Sequence, residues 1–158
     1  MSASRKRLSI VFVCTGNICR SPMAEIVFAD AVRREGLAER VRVSSAGTGG
    51  WHVGSPADPR TAEALRRAGY TCEHVAAQLG AQHLSADLLV ALDSGHLAAL
   101  RRLIRDPQRV VLLRSFDQAA GRDLEVPDPY YGEHGFDDVL SKVRAAVPGL
   151  LAWVRERA

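Results

Sequence analysis

The sequence predicts an α/β fold: a four-stranded parallel open sheet with helices on both faces. Short apolar runs of strand length alternate with longer stretches in which apolar residues recur at helical spacing, a pattern typical of strand–helix–strand units. The chain has 158 residues, 47% of them hydrophobic, which suffices for one sizeable core. The sequence contains no internal repeat, low-complexity tract or linker. We therefore expect a single domain over residues 1–158.

The first half of the chain begins with a β-branched and aromatic run at Leu8–Cys14, which predicts the first strand. The next stretch opens at Pro22 and stops at Gly36, and its apolar residues share one helical face. That face carries Ala24, Val27, Phe28, Ala31 and Val32. A second strand is predicted at Val41–Ser45, and a loop rich in Gly, Ser and Pro follows over 46–56.

The second half alternates in the same way. In chain order it predicts a helix at 58–68, a buried strand between Asp87 and Asp93, a helix at 95–105, a strand at Val110–Leu113 and a last helix at Phe136–Arg157. Gly69 directly follows the first of these helices and is a typical helix stop. Pro148 lies inside the last helix and predicts a kink or a restart there.

The loop between the first strand and the first helix holds Cys14, Arg20, Ser21 and Pro22. Such a loop turns its backbone N–H groups toward one point, where they can bind an anion. Arg20 adds a planar guanidinium that can hold two oxygens of a phosphate. Cys14 then lies at the bottom of an anion site, where positive potential favours a reactive thiolate. These residues together predict a phosphoryl-transfer site.

A plainer interpretation of Cys14 is a buried strand-end cysteine that packs as a small hydrophobic side chain. C-x5-R spacing alone recurs by chance, but the match is longer here. Gly16 and Asn17 suit a tight loop, and Pro22 stands at the predicted first position of the helix. The stretch 14–22 therefore resembles the C-x5-R-[ST]-P signature of the low-molecular-weight protein tyrosine phosphatases, in particular bacterial, actinobacterial-like members, and the resemblance extends over nearly the whole chain.

This resemblance implies an enzyme that hydrolyses phosphotyrosine through a cysteinyl-phosphate intermediate and uses no cofactor. It makes Cys14 the nucleophile and Arg20 the phosphate ligand, with the loop amides completing the phosphate site. The further loop residues implied in substrate binding are Thr15, Gly16, Asn17, Ile18, Cys19 and Ser21. The Ser21 hydroxyl is also expected to donate a hydrogen bond to the Cys14 sulfur, and its plainer role is a helix N-cap.

A second chemical segment, Val126–Gly132, holds Asp128 between two prolines that restrict its backbone. On its own the segment is an ordinary exposed turn. The family carries its general acid in an Asp-Pro-Tyr-Tyr segment, so the resemblance implies that Asp128 protonates the leaving phenol. Tyr130 and Tyr131 offer flat walls for an aromatic ring. The resemblance places Trp51 at the opposite rim, where a cap on the core is the alternative.

The resemblance also implies supporting roles. Ser45 and His74 match family positions that brace the phosphate loop through Asn17, and neither is catalytic. Asp93 matches a family aspartate at a strand end and receives no catalytic role. Cys19 is implied to protect the nucleophile by forming a reversible disulfide with it after oxidation, and simple packing is the alternative.

Composition narrows the class of protein and its surroundings. No apolar run approaches the length of a membrane span, and the short basic N-terminus does not predict a signal peptide. Three cysteines make no disulfide framework, which fits a reducing cytoplasm, while secretion by a signal-less route stays open. The net charge is +3 with both signs interspersed, so no nucleic-acid or membrane partner is expected. The histidines lack metal-ligand spacing, and a metal-free monomer is expected.

Three other functions share parts of this pattern with a tyrosine phosphatase. An arsenate reductase needs further cysteines to relay a disulfide, and Cys72 alone lies outside the loop. A protein-arginine phosphatase resembles this sequence but has a threonine in the place of Ile18. An anion-binding module needs neither Cys14 nor Asp128. The expected partners are therefore phosphotyrosine proteins, with phosphate as product and competitive inhibitor, and the sequence does not identify the physiological substrate.

Overall fold

The computed structural model describes residues 7–130 and 135–158 of the chain. Its strands are β1 (Leu8–Cys14), β2 (Val41–Gly47), β3 (Leu88–Ala91) and β4 (Val110–Leu112). Its α-helices are α1 (Arg20–Arg34), α2 (Pro59–Arg67), α3 (Ala81–Leu84), α4 (Ser94–Leu103) and α5 (Phe136–Arg157). Single 3-10 turns lie at Pro107–Arg109, Leu113–Phe116 and Gln118–Ala120.

The four strands form one parallel sheet in the order β2-β1-β3-β4. Strand β1 is therefore central, and its last residue, Cys14, pairs with Gly47 at the end of β2. Because parallel strands end at the same edge, Cys14 lies beside the segments that follow β2 and β3. The predicted fold class is confirmed.

Side chains of β1 alternate between two cores, which lie on opposite faces of the sheet. Ile10 and Phe12 pack on the face covered by α1, α2 and α5. Val11 and Val13 pack on the other face, where α3 and α4 contribute apolar side chains. The central strand is thus covered on both sides, which fixes the position of its carboxyl end and of the loop that follows.

Helix α1 begins at Arg20, two residues before the predicted start. Pro22 is therefore the third helical residue, and Cys19, not Ser21, occupies the N-cap position without a capping side-chain hydrogen bond. The predictions of Pro22 at the first position and of Ser21 as N-cap are wrong. The physical reason is that none of the first four N–H groups of a helix has an intrahelical partner, so proline is tolerated throughout the first turn.

Helix α5 continues without interruption through Pro148, so the predicted restart does not occur. Beside the proline, Gly149 lies so close to the turn at Leu113–Phe116 that a Cβ would meet the Phe116 carbonyl oxygen at 2.1 Å. Sequence periodicity missed the four-residue helix α3, which is too short to show it. None of the described helices is long and apolar enough to span a membrane.

Candidate active site

A pocket of about 350 Å³ opens at the carboxyl edge of the sheet, between the β1–α1 loop, the loop after β2 and the loop before α5. The residues that line it are Cys14, Thr15, Gly16, Ile18, Cys19, Arg20, Trp51, His52, Asp128 and Tyr130. Asn17 and Ser21, which were also predicted in the site, are completely buried behind it. Tyr131 lies outside the described residues. The structure thus brings most of the predicted site residues to one place.

Asn17 adopts left-handed backbone geometry, with φ of 57°, which asparagine tolerates better than most residues. Its Oδ1 accepts a hydrogen bond from the backbone N–H of Ala77 at 2.9 Å, which fixes the orientation of the amide. Its Nδ2 then donates to the hydroxyls of Ser21 at 2.8 Å and of Ser45 at 2.9 Å. The side chain of Asn17 therefore ties the loop to α1, to β2 and to the segment around Ala77.

The outer end of this network confirms the bracing positions predicted from the resemblance. His74 Nε2 donates to the Asn17 carbonyl oxygen at 2.7 Å. Ser45, which accepts from Asn17, donates its own hydroxyl proton to the carboxylate of Glu25. Sequence analysis missed Glu25, because a glutamate on a helix surface carries no distinguishing pattern.

The sulfur of Cys14 lies 2.9 Å from the hydroxyl oxygen of Ser21 and 3.4 Å from the backbone N–H of the same residue. The Ser21 oxygen already accepts a hydrogen bond from Asn17, so the hydroxyl proton is available to Cys14. Both contacts then donate toward sulfur. Two donors directed at the sulfur can stabilise negative charge that develops on it during a displacement.

Arg20 is only 3% exposed, and Asp93 fixes its guanidinium. Its Nη1 donates to Asp93 Oδ2 at 2.8 Å and to the Val126 carbonyl oxygen at 2.9 Å. Burial alone would raise the pKa of Asp93, but hydrogen bonds from the backbone N–H of His96 and from the Arg20 side chain outweigh burial and lower that pKa. Asp93 therefore acts as a negatively charged support for Arg20, a role that the sequence did not reveal.

Thr15, the residue after Cys14, is hydrogen-bonded to a buried histidine at the start of α4. The Thr15 hydroxyl oxygen lies 2.8 Å from His96 Nε2. Burial lowers the pKa of His96 to about 4, against the opposing effect of the Asp93 carboxylate. The imidazole is therefore neutral at physiological pH. Sequence analysis found no metal-ligand spacing for His96 and gave it no other role.

Asp128 lies across the pocket from the phosphate loop, with its side chain 41% exposed. Its Oδ1 accepts the backbone N–H of Tyr130 at 3.0 Å, and its Oδ2 lies 3.8 Å from Arg20 Nη2. The backbone N–H of Val126 bonds to the Leu92 carbonyl oxygen at 2.9 Å and so anchors this loop to the end of β3. One carboxylate oxygen thus shapes the turn while the other faces the arginine.

Aromatic side chains form the pocket walls. Trp51 is 76% exposed, so the alternative of a core cap is wrong. Its ring lies directly over Gly49, where a Cβ would meet a ring carbon at 1.8 Å. The ring of the next residue, His52, lies 6.3 Å from the ring of Tyr130 with an interplanar angle of 49°. The loop of Trp51 and His52, expected to form one wall of the pocket, does line it.

Cys19 lines the pocket but is itself buried. Burial, reinforced by the nearby Asp58 carboxylate, raises the pKa of its thiol to about 12. Cys19 is thus a protonated thiol at physiological pH. All three cysteines of the chain are free. Among residues 7–130 and 135–158, no cluster of three or more histidine, cysteine or acidic side chains is arranged to hold a metal ion.

Comparison with known proteins gives consistent matches. The family model of the low molecular weight phosphotyrosine protein phosphatases matches residues 9–158. The low molecular weight protein-tyrosine phosphatase A of Mycobacterium tuberculosis is 57% identical over 152 residues, which cover 95% of this chain and 93% of that protein.

Solved structures agree with the fold. The crystal structure of YfkJ from Bacillus subtilis superposes with a TM-score of 0.89 at 35% identity, covering 96% of both chains. The structure of a Drosophila arginine phosphatase superposes with a TM-score of 0.84 at 27% identity, covering 94% of this chain and 98% of that chain. The same fold therefore supports chemically different phosphatases.

Proposed function

The chain belongs to the low molecular weight phosphotyrosine protein phosphatase family, and we propose that it hydrolyses phosphotyrosine in proteins through a cysteinyl-phosphate intermediate. The family and the enzyme class predicted from the sequence are confirmed. The observation that supports the proposed substrate and mechanism is the pocket that Cys14, Arg20 and Asp128 line together. Anion binding alone would require neither a nucleophile nor an acid, which argues against a non-enzymatic module.

In the first step the Cys14 thiolate attacks phosphorus in line with the bond to the phenolic oxygen. A sulfur–phosphorus bond forms as the phosphorus–oxygen bond breaks, and Asp128 gives its proton to the departing oxygen. Arg20 and the amides of the loop Thr15–Arg20 hold the three remaining phosphate oxygens and stabilise their charge in the transition state. The hydrogen bonds from Ser21 to sulfur make Cys14 a better leaving group for the next step.

In the second step a water molecule attacks the phosphorus of the cysteinyl-phosphate. Asp128, now ionised, accepts a proton from this water, and the sulfur–phosphorus bond breaks to restore the Cys14 thiolate. Orthophosphate is released from the same loop that bound the substrate. Orthophosphate should therefore inhibit the enzyme competitively.

The pocket walls predict selectivity for aryl phosphates. Trp51 and Tyr130 flank the opening, and a phenyl ring can pack between them while its phosphate reaches Cys14. A phosphoserine side chain is too short to carry its phosphate from the pocket opening to Cys14, and it has no ring to bury between the aromatic walls. We expect kcat/KM for a phosphotyrosine peptide to exceed that for the matched phosphoserine peptide by about 10–10²-fold, since ring burial is worth about 1.5–3 kcal/mol.

Trp51→Ala provides the matched control for this selectivity. The substitution should lower kcat/KM for the phosphotyrosine peptide and leave the already low kcat/KM for the phosphoserine peptide nearly unchanged. The ratio of the two values should therefore fall. Equal rates of the wild type on both peptides would contradict the aryl pocket.

A protein-arginine phosphatase is the principal alternative. The similarity to the Drosophila arginine phosphatase supports it only at the level of the fold and the general chemistry. Ile18, an apolar side chain, lines the pocket at the position where the sequence resemblance expects threonine in an arginine phosphatase. The apolar and aromatic surroundings favour a phenyl ring over a charged guanidinium group.

An arsenate reductase is disfavoured by the placement of the third cysteine. Cys72 is half-buried, does not line the pocket, and has a pKa raised by burial. A disulfide relay needs accessible thiols that can react in sequence. Arsenate-dependent oxidation of thioredoxin would be the result that favours this alternative.

Oxidation of the nucleophile gives a pH-dependent prediction for Cys19. If Cys19 captures the sulfenic acid of Cys14, the attacking species is the Cys19 thiolate. Because the pKa of Cys19 is about 12, its thiolate fraction rises about tenfold with each pH unit between 7 and 9. We expect brief peroxide treatment to leave more enzyme recoverable by a thiol reductant at pH 9 than at pH 7.

Intact-protein mass spectrometry would distinguish the two products. Formation of the disulfide lowers the protein mass by two hydrogen atoms, whereas over-oxidation of Cys14 raises it by the oxygen atoms that are added. Cys19→Ser should keep most of its turnover before treatment, yet show no rise in recovery with pH. Full recovery of this variant at both pH values would leave Cys19 with a packing role alone.

The physiological substrates are proposed to be phosphotyrosine proteins met in the cytoplasm by a monomeric enzyme. This part of the proposal rests on composition and on the family resemblance. A Cys14→Ser variant that still binds phosphate would serve as a substrate trap in cell lysate, with bound phosphoproteins identified by mass spectrometry.

A further inference from the structure

The carboxylate of Asp93 contacts one end of the phosphate loop directly and the other end through His96. Its Oδ2 accepts from Arg20 Nη1 at 2.8 Å, at the end of the loop. Its Oδ1 accepts the backbone N–H of His96 at 2.9 Å and lies 3.1 Å from His96 Nδ1. His96 Nε2 in turn lies 2.8 Å from the hydroxyl of Thr15, at the beginning of the loop. A continuous series of polar contacts thus connects Thr15 with Arg20 across the back of the pocket.

The protonation of His96 follows from its surroundings. The ring is buried and neutral, so one of its nitrogens carries a proton and the other accepts. A lone pair on Nδ1 would face the negative Asp93 carboxylate at 3.1 Å, whereas a proton there is attracted to it. Nδ1 has no hydrogen bond of good geometry among the described residues, so this attraction is electrostatic. The proton therefore lies on Nδ1, and Nε2 accepts from Thr15.

This tautomer determines how the Thr15 hydroxyl is used. Its proton is directed to His96 and away from the pocket that Thr15 lines. The side chain of Thr15 is therefore not a phosphate donor. The hydrogen bond to His96 instead fixes the rotamer of Thr15. Because Thr15 directly follows Cys14, this also fixes the start of the loop whose amides are proposed to bind phosphate.

We propose that His96 is a positioning residue, which couples Thr15 at the start of the phosphate loop to the Asp93–Arg20 pair at its end. This inference rests on the proposed function, because it concerns how the same pocket is held for phosphoryl transfer. Without the link, Thr15 and Arg20 are positioned independently, and the loop samples geometries that bind phosphate but stabilise the transition state less well. The effect should therefore appear mainly in kcat.

A double-mutant cycle tests the coupling. His96→Phe keeps a ring in the buried site without its nitrogens, and Thr15→Val keeps the branched shape without the hydroxyl. Each should lower kcat for p-nitrophenyl phosphate about fivefold, with KM changed less than about twofold, since one hydrogen bond is worth about that much. The double variant should be no slower than the slower single variant, because both remove the same link.

Two further variants separate positioning from simple stability. His96→Gln places an amide near the position of Nε2 and should recover at least half of the kcat lost in His96→Phe. His83→Phe is the matched control: His83 is also a buried histidine whose pKa is lowered by burial, but it lies in α3 and does not line the pocket. It should reduce the denaturation midpoint and leave kcat per folded molecule unchanged.

Each outcome decides the proposal. The proposal would be overturned if the losses of kcat multiply in the double variant. It would also be overturned if His96→Gln is as slow as His96→Phe, or if His83→Phe loses as much kcat as His96→Phe. The binding of orthophosphate to the same variants, measured by calorimetry, should change less than about twofold, because the link is proposed to act on the transition state. If the wild type hydrolysed no aryl phosphate, the proposed function would fail. The coupling would then be judged from the denaturation midpoints of the same variants, where the double variant should be no less stable than the less stable single variant.

Discussion

Replacing Cys14 by serine should reduce hydrolysis of p-nitrophenyl phosphate to the detection limit while the fold stays intact. Serine is nearly isosteric, so the contacts of this position with Ser21 can persist. A hydroxyl without an adjacent base is a far weaker nucleophile than a thiolate. Steady-state kinetics on the purified variant, together with its circular dichroism spectrum, would measure both parts of this expectation.

The matched control is Cys72→Ser, which changes a half-buried cysteine away from the pocket and should keep wild-type kinetics. Rapid quenching of the wild type with a ³²P-labelled aryl phosphate should trap label on Cys14, and the serine variant should show none. Substantial turnover by pure Cys14→Ser would end the cysteinyl-phosphate proposal.

Arg20→Ala should be similarly inactive, because it removes the guanidinium that holds the phosphate oxygens. It also leaves the Asp93 carboxylate without its buried partner, so stability should fall and activity must be expressed per folded molecule. Arg20→Lys keeps the charge without the planar geometry and should be intermediate in rate. A lysine variant as fast as the wild type would show that charge alone suffices.

Replacing Asp128 by alanine should slow hydrolysis by about 10²–10⁴-fold, the usual contribution of a general acid. The deficit should shrink for aryl phosphates with more acidic phenols, because those leave without protonation. A plot of log kcat/KM against the leaving-group pKa should therefore be steeper for the variant than for the wild type. A deficit that is the same for every leaving group would exclude Asp128 as the acid.

Asp128→Asn distinguishes a proton-donating role of Asp128 from a structural role of its side chain in the turn. Asp128 Oδ1 accepts the Tyr130 N–H, and an asparagine carbonyl can make the same hydrogen bond. The asparagine variant should be as slow as the alanine variant, since neither supplies a proton. Near-normal rates for asparagine would mean that Asp128 shapes the loop and does not transfer the proton.

The nucleophile and its loop were predictable from the sequence because their chemistry is local. A strand end, Cys14, Arg20 and a helix start follow one another within the chain, and this order alone determines an anion-binding loop. The alternation of apolar segments similarly predicted the parallel sheet and its strands to within about two residues. Asp128 was found because two prolines mark its segment and the family resemblance gave that segment a role.

Two other features could not be predicted, although they involve only residues that are close in the chain. The start of α1 at Arg20 could not be predicted, because any first-turn position tolerates proline. The exposed position of Trp51 follows from its packing over Gly49, and an isolated tryptophan in a loop gives no sign of this. In both cases the local sequence is compatible with more than one geometry.

The sequence by itself determined that this chain forms an α/β sheet with a cysteine-containing phosphate loop at one edge. Only the tertiary structure decided what holds that loop in place. Parallel pairing brings the ends of β1 and β3 side by side, so that Asp93 meets Arg20 and His96 meets Thr15. Hydrogen bonds of this kind depend on which strand ends are neighbours in space, and that order is set by the packing of the whole sheet.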